Sequence, residues 1–588
     1  IYYPDKKADS CIFTGFILQN SEILFSVSAT QKSRFSLLLG GLLAETRLTQ
    51  HRPLSSVKSF LIPFAAIFVL FASSPPVFPQ FHEIKDGVKG ISLLDAVRNT
   101  LRNQPAIQIQ QEQVNLSKGV LQETSGQFDW NFNAGIGREE TTTPMTESWR
   151  KLQGLPERST RLITDKYRAG FDKQMRSGIT VSPGVDITHS NYADYYPNTD
   201  PSSQSSVNFR INVPLLKGRG VEATGAPETA AALDLESTRF DYKAVVSKSI
   251  LETTAAYWNL CTARERLEIY KDAEAQARSM LELYRKMVDA DVKPFADLDQ
   301  LKANLSDRAA QRISGESEFV GAQQRLWLAM GMPFSGKDVA YPLDFLPDAA
   351  THSVTPDAFL DARFYVDLSR KYRPDLLSLK RKEDSALVLL KAAEINKSAK
   401  LDLVLGTGYS GLWEGGDAFQ SARSLDSTVR GLNVSAGLEY RFPIQNNSLL
   451  GVLQQRRSVY RQAILRTADL DRNISSQVTV VLDDIKSVLS AWNEATIAVK
   501  SYEDAVRNED KKMRMGMSTL MDLIVTQDKL RDALLNALRY RQVFAELVVN
   551  LRYSTGTIVS EDGDLDKIDM KKLITLPNEE ASSHREGG

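Results

Sequence analysis

The residues whose setting invites chemistry are carboxylates placed just after two breaks in long helical segments. One break is Gly516-Met517-Ser518-Thr519-Leu520-Met521-Asp522-Leu523. The other is Asp291-Val292-Lys293-Pro294-Phe295-Ala296-Asp297-Leu298, with Asp299 beside it. An aspartate there can cap the helix that follows, because the first four amides of a helix lack partners within it. Groups that would signal catalysis are missing from the pattern. The five histidines, at positions 51, 82, 189, 352 and 584, are too scattered to be a ligand set. Two cysteines, Cys11 and Cys261, cannot build a disulfide framework or a Cys-rich metal site. Gly406-Thr407-Gly408 and Lys217-Gly218-Arg219-Gly220 lack the spacing of a phosphate cradle. No nucleophile motif or cofactor fingerprint stands out, so neither an enzyme nor a cofactor is expected.

The elements that would hold those carboxylates come from a chain of 588 residues, 42% hydrophobic and 25% charged, with a net charge of −1. Wholesale disorder is excluded by that balance, and no excess of positive charge suits a nucleic-acid binder. A β-barrel stays open, since its apolar face hides in alternation. Near the start, Arg47, Arg52 and Lys58 precede the apolar run Phe60 to Ala72, and Ser73 and Ser74 follow it. This is the pattern of a secretory signal, and it is short for a spanning helix. Residues 1–46 fit no signal, and the first methionine is Met145. The expectation is that translation begins near Val57 and that residues 1–80 are not part of the mature protein. Cys11 lacks the context of a lipid anchor.

From about residue 91 the chain runs twice through one plan. A helical pattern starting at Ile91 reaches Asn103-Gln104-Pro105, and its counterpart reaches Tyr372-Arg373-Pro374. Alternating runs follow, Phe128 to Gly135 in one pass and Leu401 to Gly406 in the other, as strands require. A second strand closes each unit: Val207 to Leu215, and Leu438 to Ile444. The first pass also holds Arg168 to Gln174 and Ile179 to His189 around an Arg176-Ser177-Gly178 turn. Whether these form a separate hairpin or two more strands of the same wall is left open by the sequence.

Long helices are expected from about Glu228 to Val288 and from Leu450 to Met515, with no proline inside either. Such lengths make rods of roughly 90–100 Å, which demand a coiled coil or helical tube. Trp258, Trp492 and Cys261 are expected to pack between helices. Return helices end at Gly331 and Gly556, and these share an offset of 225 with the pair Asp297 and Asp522. The plan gives a first repeat at 90–331, a connecting segment at 332–372, a second repeat at 373–556 and a loose polar tail at 557–588.

Performed twice after a signal, this order resembles the TolC-type outer-membrane efflux proteins. Pro214-Leu215-Leu216 with Gly218, Phe442-Pro443-Ile444 and the 516–523 turn carry the resemblance. It implies a mostly α protein with a membrane β part. Three copies would share a β-barrel and a long α-helical barrel, in the outer membrane of a Gram-negative-type cell and extending into the periplasm. Implied partners are two further copies, outer-membrane lipid, a periplasmic membrane-fusion adaptor and an inner-membrane transporter, for efflux or type I secretion. Family members usually contribute four strands each, twelve in all; if the extra hairpin joined the wall the total would be eighteen. Asp522, with Asp297 and Asp299, would line the periplasmic gate, where three copies of a carboxylate attract cations. The second acid of the family gate falls on Val525 here. Gly516, Ser518, Thr519 and Pro294 would meet the adaptor. Phe128, Trp130, Phe132, Phe209 and Tyr440 are expected in the membrane belt. The competing expectation is a coiled-coil scaffold without a pore, which leaves the strands and the signal unexplained.

Overall fold

A computed structural model of the chain describes residues 90–152, 154, 158–192, 200–291, 295–334, 341–347, 361–415, 423–559 and 573–577. The apolar run 60–72, Cys11, Pro294 and the acidic stretch 560–564 lie outside the described residues. The first pass runs α1 (Leu93–Asn103), α2 (Pro105–Gly126), β1 (Trp130–Pro144), α3 (Glu147–Leu152), β2 (Ser159–Gln174), β3 (Thr180–Tyr192) and β4 (Ser202–Pro214). It then continues through α4 (Val221–Thr224), α5 (Ala226–Asp289) and α6 (Ala296–Ala329). The second pass is α7 (Ala362–Tyr372), α8 (Pro374–Asn396), β5 (Lys400–Glu414), β6 (Val429–Arg441), α9 (Asn447–Arg514) and α10 (Leu520–Thr555).

Proline sets the break inside each opening helix pair. Pro105 and Pro374 begin α2 and α8, where a missing amide costs nothing because that position has no helical partner. Two very long helices dominate the rest. At 64 and 68 residues, α5 and α9 are rods of about 96 and 102 Å. Neither could stand alone: α5 packs along α2, α6, α8 and α10, and α9 along α8 and α10. Trp258 of α5 is buried with Leu326 and Trp327 of α6 in one core. Trp492 of α9 meets Phe544 of α10 in another, at 5.6 Å between ring centroids.

The connecting segment is strapped to the middle of these rods. Ile91 bridges to Pro342, the Leu93 amide donates to the Asp344 carboxylate at 2.7 Å, and the Tyr257 hydroxyl donates to the same group at 2.9 Å. One expectation for the C-terminal end is corrected. Residues 573–577 are docked, with Leu573 and Leu576 buried and the fully buried Arg552 donating to the Thr575 carbonyl at 2.6 Å. Two buried leucines seat the segment, and Thr575 with the Leu576 carbonyl supplies acceptors that the buried guanidinium needs.

Among the described residues six strands form one antiparallel sheet in the order β1-β2-β3-β4-β5-β6. The two stretches around the 176–178 turn are therefore strands of the same sheet as the rest. Between β2 and β3 the ladder runs from Gly170↔Gly184 to Lys173↔Val181 with no pairs between, where Pro183 has no amide to give. The strands are also longer than expected at their far ends, and β6 stops at Arg441, before Phe442-Pro443-Ile444.

Candidate functional site

Two places in the fold are built for something other than packing: the tip of the α9–α10 hairpin and the two-faced sheet at the opposite end of the rods. At the tip, α9 closes on Gly516 in the left-handed region, φ 75°. Its amide donates to the Met513 carbonyl at 3.0 Å and the Met517 amide to the Lys512 carbonyl at 2.9 Å, which satisfies the last helical carbonyls. The chain turns and α10 starts with a reciprocal cap. Thr519 Oγ1 accepts from the Asp522 amide at 3.2 Å, while the Asp522 carboxylate accepts from the Thr519 amide at 3.2 Å and its hydroxyl at 2.6 Å. That hydroxyl, together with the amide, holds the Asp522 carboxyl below the usual carboxylate range. Ser518 donates in the same way to Glu509 and lowers it too.

These bonds bear on the residues picked out from the sequence. The hydroxyls of Ser518 and Thr519 are already engaged within the turn, so they offer a partner little beyond their backbone. What the tip presents instead is sulfur. Met515 and Met517 are 63% and 66% exposed, and Met521 and Val525 are exposed beside them. Four of the chain's 11 methionines, at 513, 515, 517 and 521, fall in this short stretch, a cluster visible in the sequence alone. Asp297 and Asp299 sit in the first turn of α6, with Asp299 3.1 Å from Lys302. The two hairpins meet here: Tyr284, Leu298, Leu301, Leu520 and Ile524 share a core. Farther along, the buried Arg308 of α6 bonds to Asp528 of α10.

The sheet sorts its side chains by polarity. In an antiparallel ladder directly paired residues share a face. On one face Trp130, Phe132, Ala134 and Ile136 of β1 lead across to Phe171, Ala169 and Tyr167 of β2. The band continues through Val185 and Ile187 on β3, Val207, Phe209 and Ile211 on β4, and Leu403 and Leu405 on β5. It ends on Val434, Leu438 and Tyr440 of β6. The opposite face carries Asn, Asp, Ser, Arg and glycine at the alternate positions. Trp130, Phe132, Phe209 and Tyr440 thus lie on the apolar face. Phe128 does not. It is buried in the turn before β1 with the Arg176 guanidinium 4.9 Å over its ring, so the alternation that suggested a strand begins one step too early.

The chain, with its apolar-banded sheet set on long antiparallel rods, is similar in sequence and fold to several known proteins. Outer membrane protein TolC of Vibrio cholerae serotype O1 is 19% identical over 404 residues, which is 67% of this chain and 86% of the relative. The protein of the same name from Salmonella enteritidis is 20% identical over 396 residues, 64% of this chain and 74% of the relative. Among solved structures, CusC superposes with a TM-score of 0.57 at 12% identity, over 82% of this chain and 98% of that one. The CmeC outer membrane channel of Campylobacter jejuni gives 0.56 at 14% identity, over 82% and 89%. The outer-membrane channel OprN gives 0.56 at 12% identity, over 79% and 90%. The chain has the fold of the TolC-type outer-membrane efflux channels. No protein-family model matches it. Among the described residues no helix is long and apolar enough to cross a membrane, and no three His, Cys, Asp or Glu are grouped to hold a metal.

Proposed function

We propose that the chain is one subunit of a trimeric outer-membrane exit duct for efflux or type I secretion. The observation that carries this is the banded sheet with both edges unpaired. An open sheet edge in lipid leaves amides without partners at several kcal/mol each, and pooling strands from several copies removes the edge. The rods then line a tube through the periplasm, and the hairpin tips form its entrance. Cargo passes unchanged, with energy supplied by an inner-membrane transporter. A periplasmic adaptor docks on the tips and shifts them between a closed and an open arrangement. The exposed Met515, Met517 and Met521 suit that contact, since thioethers adapt to varied surfaces. In this reading Asp522 caps α10 and also faces the entrance, where three copies form a cation-attracting ring with Asp297 and Asp299 nearby.

Planar-bilayer conductance of the purified trimer tests both parts. Asp522→Asn removes the charge, and Thr519→Ala breaks the reciprocal cap while leaving the carboxylate in place. Cation-selective channels, altered in D522N but not in T519A, are the expected result. Trimers that insert but never conduct would overturn the duct, and equal behaviour of both variants would reduce Asp522 to a cap.

A further inference from the structure

We infer that all six strands enter the membrane wall, that β6 of one copy pairs with β1 of the next, and that three copies close an eighteen-stranded barrel with a wide polar lumen. The inference rests on the reading of the chain as a trimeric duct and specifies how that duct is built. Three independent observations support it.

The first is the additional hairpin itself. Arg168 to His189 keeps the same alternation as the strands on either side, and its register is the same on both sides of the gap at Pro183. One row makes this plain: Asn133, Gly170, Gly184, Asn208, Gly408 and Asn433 are paired in sequence across all six strands. A row made only of asparagine and glycine, on the face opposite the apolar band, is a polar lumen lining in which every position is an amide side chain or a glycine, both hairpin positions being glycine. The hairpin supplies two of its six positions. A hairpin that lay outside the wall would have no reason to continue either the row or the band.

The second observation is how the hairpin is anchored. Its turn, Met175 to Ile179, sits on the start of α5. Arg176 donates to both oxygens of Glu228 at 2.7 and 2.6 Å, and Glu228 also accepts from the Ser125 hydroxyl at 2.9 Å. Gly178 is in the left-handed region, φ 91°, and a Cβ there would lie 2.1 Å from the Gly218 carbonyl oxygen. The turn is thereby fixed at the junction of strands and rods, on the same level as the strand ends beside it.

The third is the pair of edges. Every residue of β1 and of β6 is exposed on both faces, and Ile136 and Val434 reach 84% and 74%. β1 leads away from the rods and β6 returns to them, so β6 of one copy meets β1 of the next antiparallel. An even number of strands per chain is what lets an all-antiparallel ring close on identical copies. The band also fits a bilayer. On β6 it spans Leu432 to Tyr440, and nine residues at ~3.3 Å, tilted by ~40°, cover roughly 22 Å against the ~25 Å of membrane barrels. Barrel diameter grows about linearly with strand number, and 16 to 18 strands leave an aqueous channel. The narrow point of the duct then lies among the helices, and the barrel admits bulky hydrated cargo.

Cysteine cross-linking between copies tests the pairing. Aligning the rod-side ends of the band, Trp130 and Tyr440, sets Asn133 opposite Gly437 on the lumen face. The double variant Asn133→Cys/Gly437→Cys is made alongside versions with Ser435→Cys or Glu439→Cys in place of the second change, to cover neighbouring registers. The two positions lie on opposite edges of one chain, so a bond joins only different copies. Oxidation is expected to give a covalent trimer on a denaturing gel. Electron microscopy of the wild-type trimer in lipid nanodiscs counts the strands directly, whether or not the variants fold. Eighteen wall strands support the inference. A membrane-inserted trimer with twelve, its β2–β3 hairpin outside the wall, overturns it and leaves the duct intact. A protein that neither trimerises nor inserts overturns the duct as well.

Discussion

Gly331 and Gly556 end the two return helices in the same way, whereas the strands between the same landmarks differ in number. Both glycines have φ 73°. In each case the following amide reaches back five residues, Met332 to the Trp327 carbonyl at 3.0 Å and Thr557 to the Arg552 carbonyl at 2.9 Å. Each also abuts the proline break of its own pass. A Cβ on Gly331 would lie 2.6 Å from the Asn103 carbonyl oxygen, and one on Gly556 would lie 2.6 Å from the Arg373 amide nitrogen. The strands show no such constancy: four belong to the first pass and two to the second. The contrast has a physical origin. A helix end crossing another backbone at contact distance admits no side chain. A sheet can gain strands in pairs, because each added hairpin restores both the antiparallel order and the two faces.

The comparison breaks most readily at the glycines. Gly331→Ala and Gly556→Ala each force a Cβ into backbone and a left-handed conformation, costing roughly 2–5 kcal/mol. The thermal unfolding temperature of the purified protein should fall by similar amounts in both variants. Tolerance of one and not the other would mean that the two joints are not equivalent. A smaller effect is expected from Arg308→Ala. Arg308 is buried and bonds to Asp528 across the hairpins, while the residue 225 positions later is the buried Ala533, which offers no such link. Removing the buried guanidinium loses a charge-assisted bond and its packing at about 1–3 kcal/mol, while Asp528 keeps its bond to Arg531 at 3.1 Å. Amide exchange should then quicken in both 296–308 and 520–528, since the bond joins the two. Faster exchange confined to α6 would show that the hairpins are held together by their apolar core alone.

Legibility in the sequence followed how many residues a feature needs. The rods were evident because sixty-odd residues without proline allow little else, and the joints because Gly331 and Gly556 keep one offset. The hairpin of β2 and β3 could not be assigned. Pro183 sits inside β3, and proline within an alternating run argues against an inner strand until a gap in the ladder is seen to accommodate it. Phe128 was misplaced because its alternation with Trp130 continues a strand pattern, and only the fold brings Arg176 across it. The tip methionines were missed for another reason. Turn chemistry marks the residues that form the turn, and the side chains left facing outward are those the turn does not use.

The smallest expected effect separates the two tips. At the first tip α6 starts with no side-chain cap, from Phe295, whereas α10 starts with the reciprocal bonds of Thr519 and Asp522. Amides 520–523 should therefore exchange more slowly than 296–299, and Thr519→Ala, costing about 1 kcal/mol, should bring the two together. Acid provides an independent handle on the same bonds. The Asp522 carboxyl titrates below its unfolded value of about 3.9. Its contribution is therefore fully present above that value and fades only as the pH falls through the lowered folded one. Protection at the second tip should stay constant from pH 8 to pH 5, relative to the first tip, and decline only in more acidic solution. A loss of that protection between pH 7 and pH 5 would mean that Asp522 titrates high. Carboxylates of neighbouring copies crowding one axis raise one another's pKa, so the same measurement on the assembled trimer would then favour the ring over the cap.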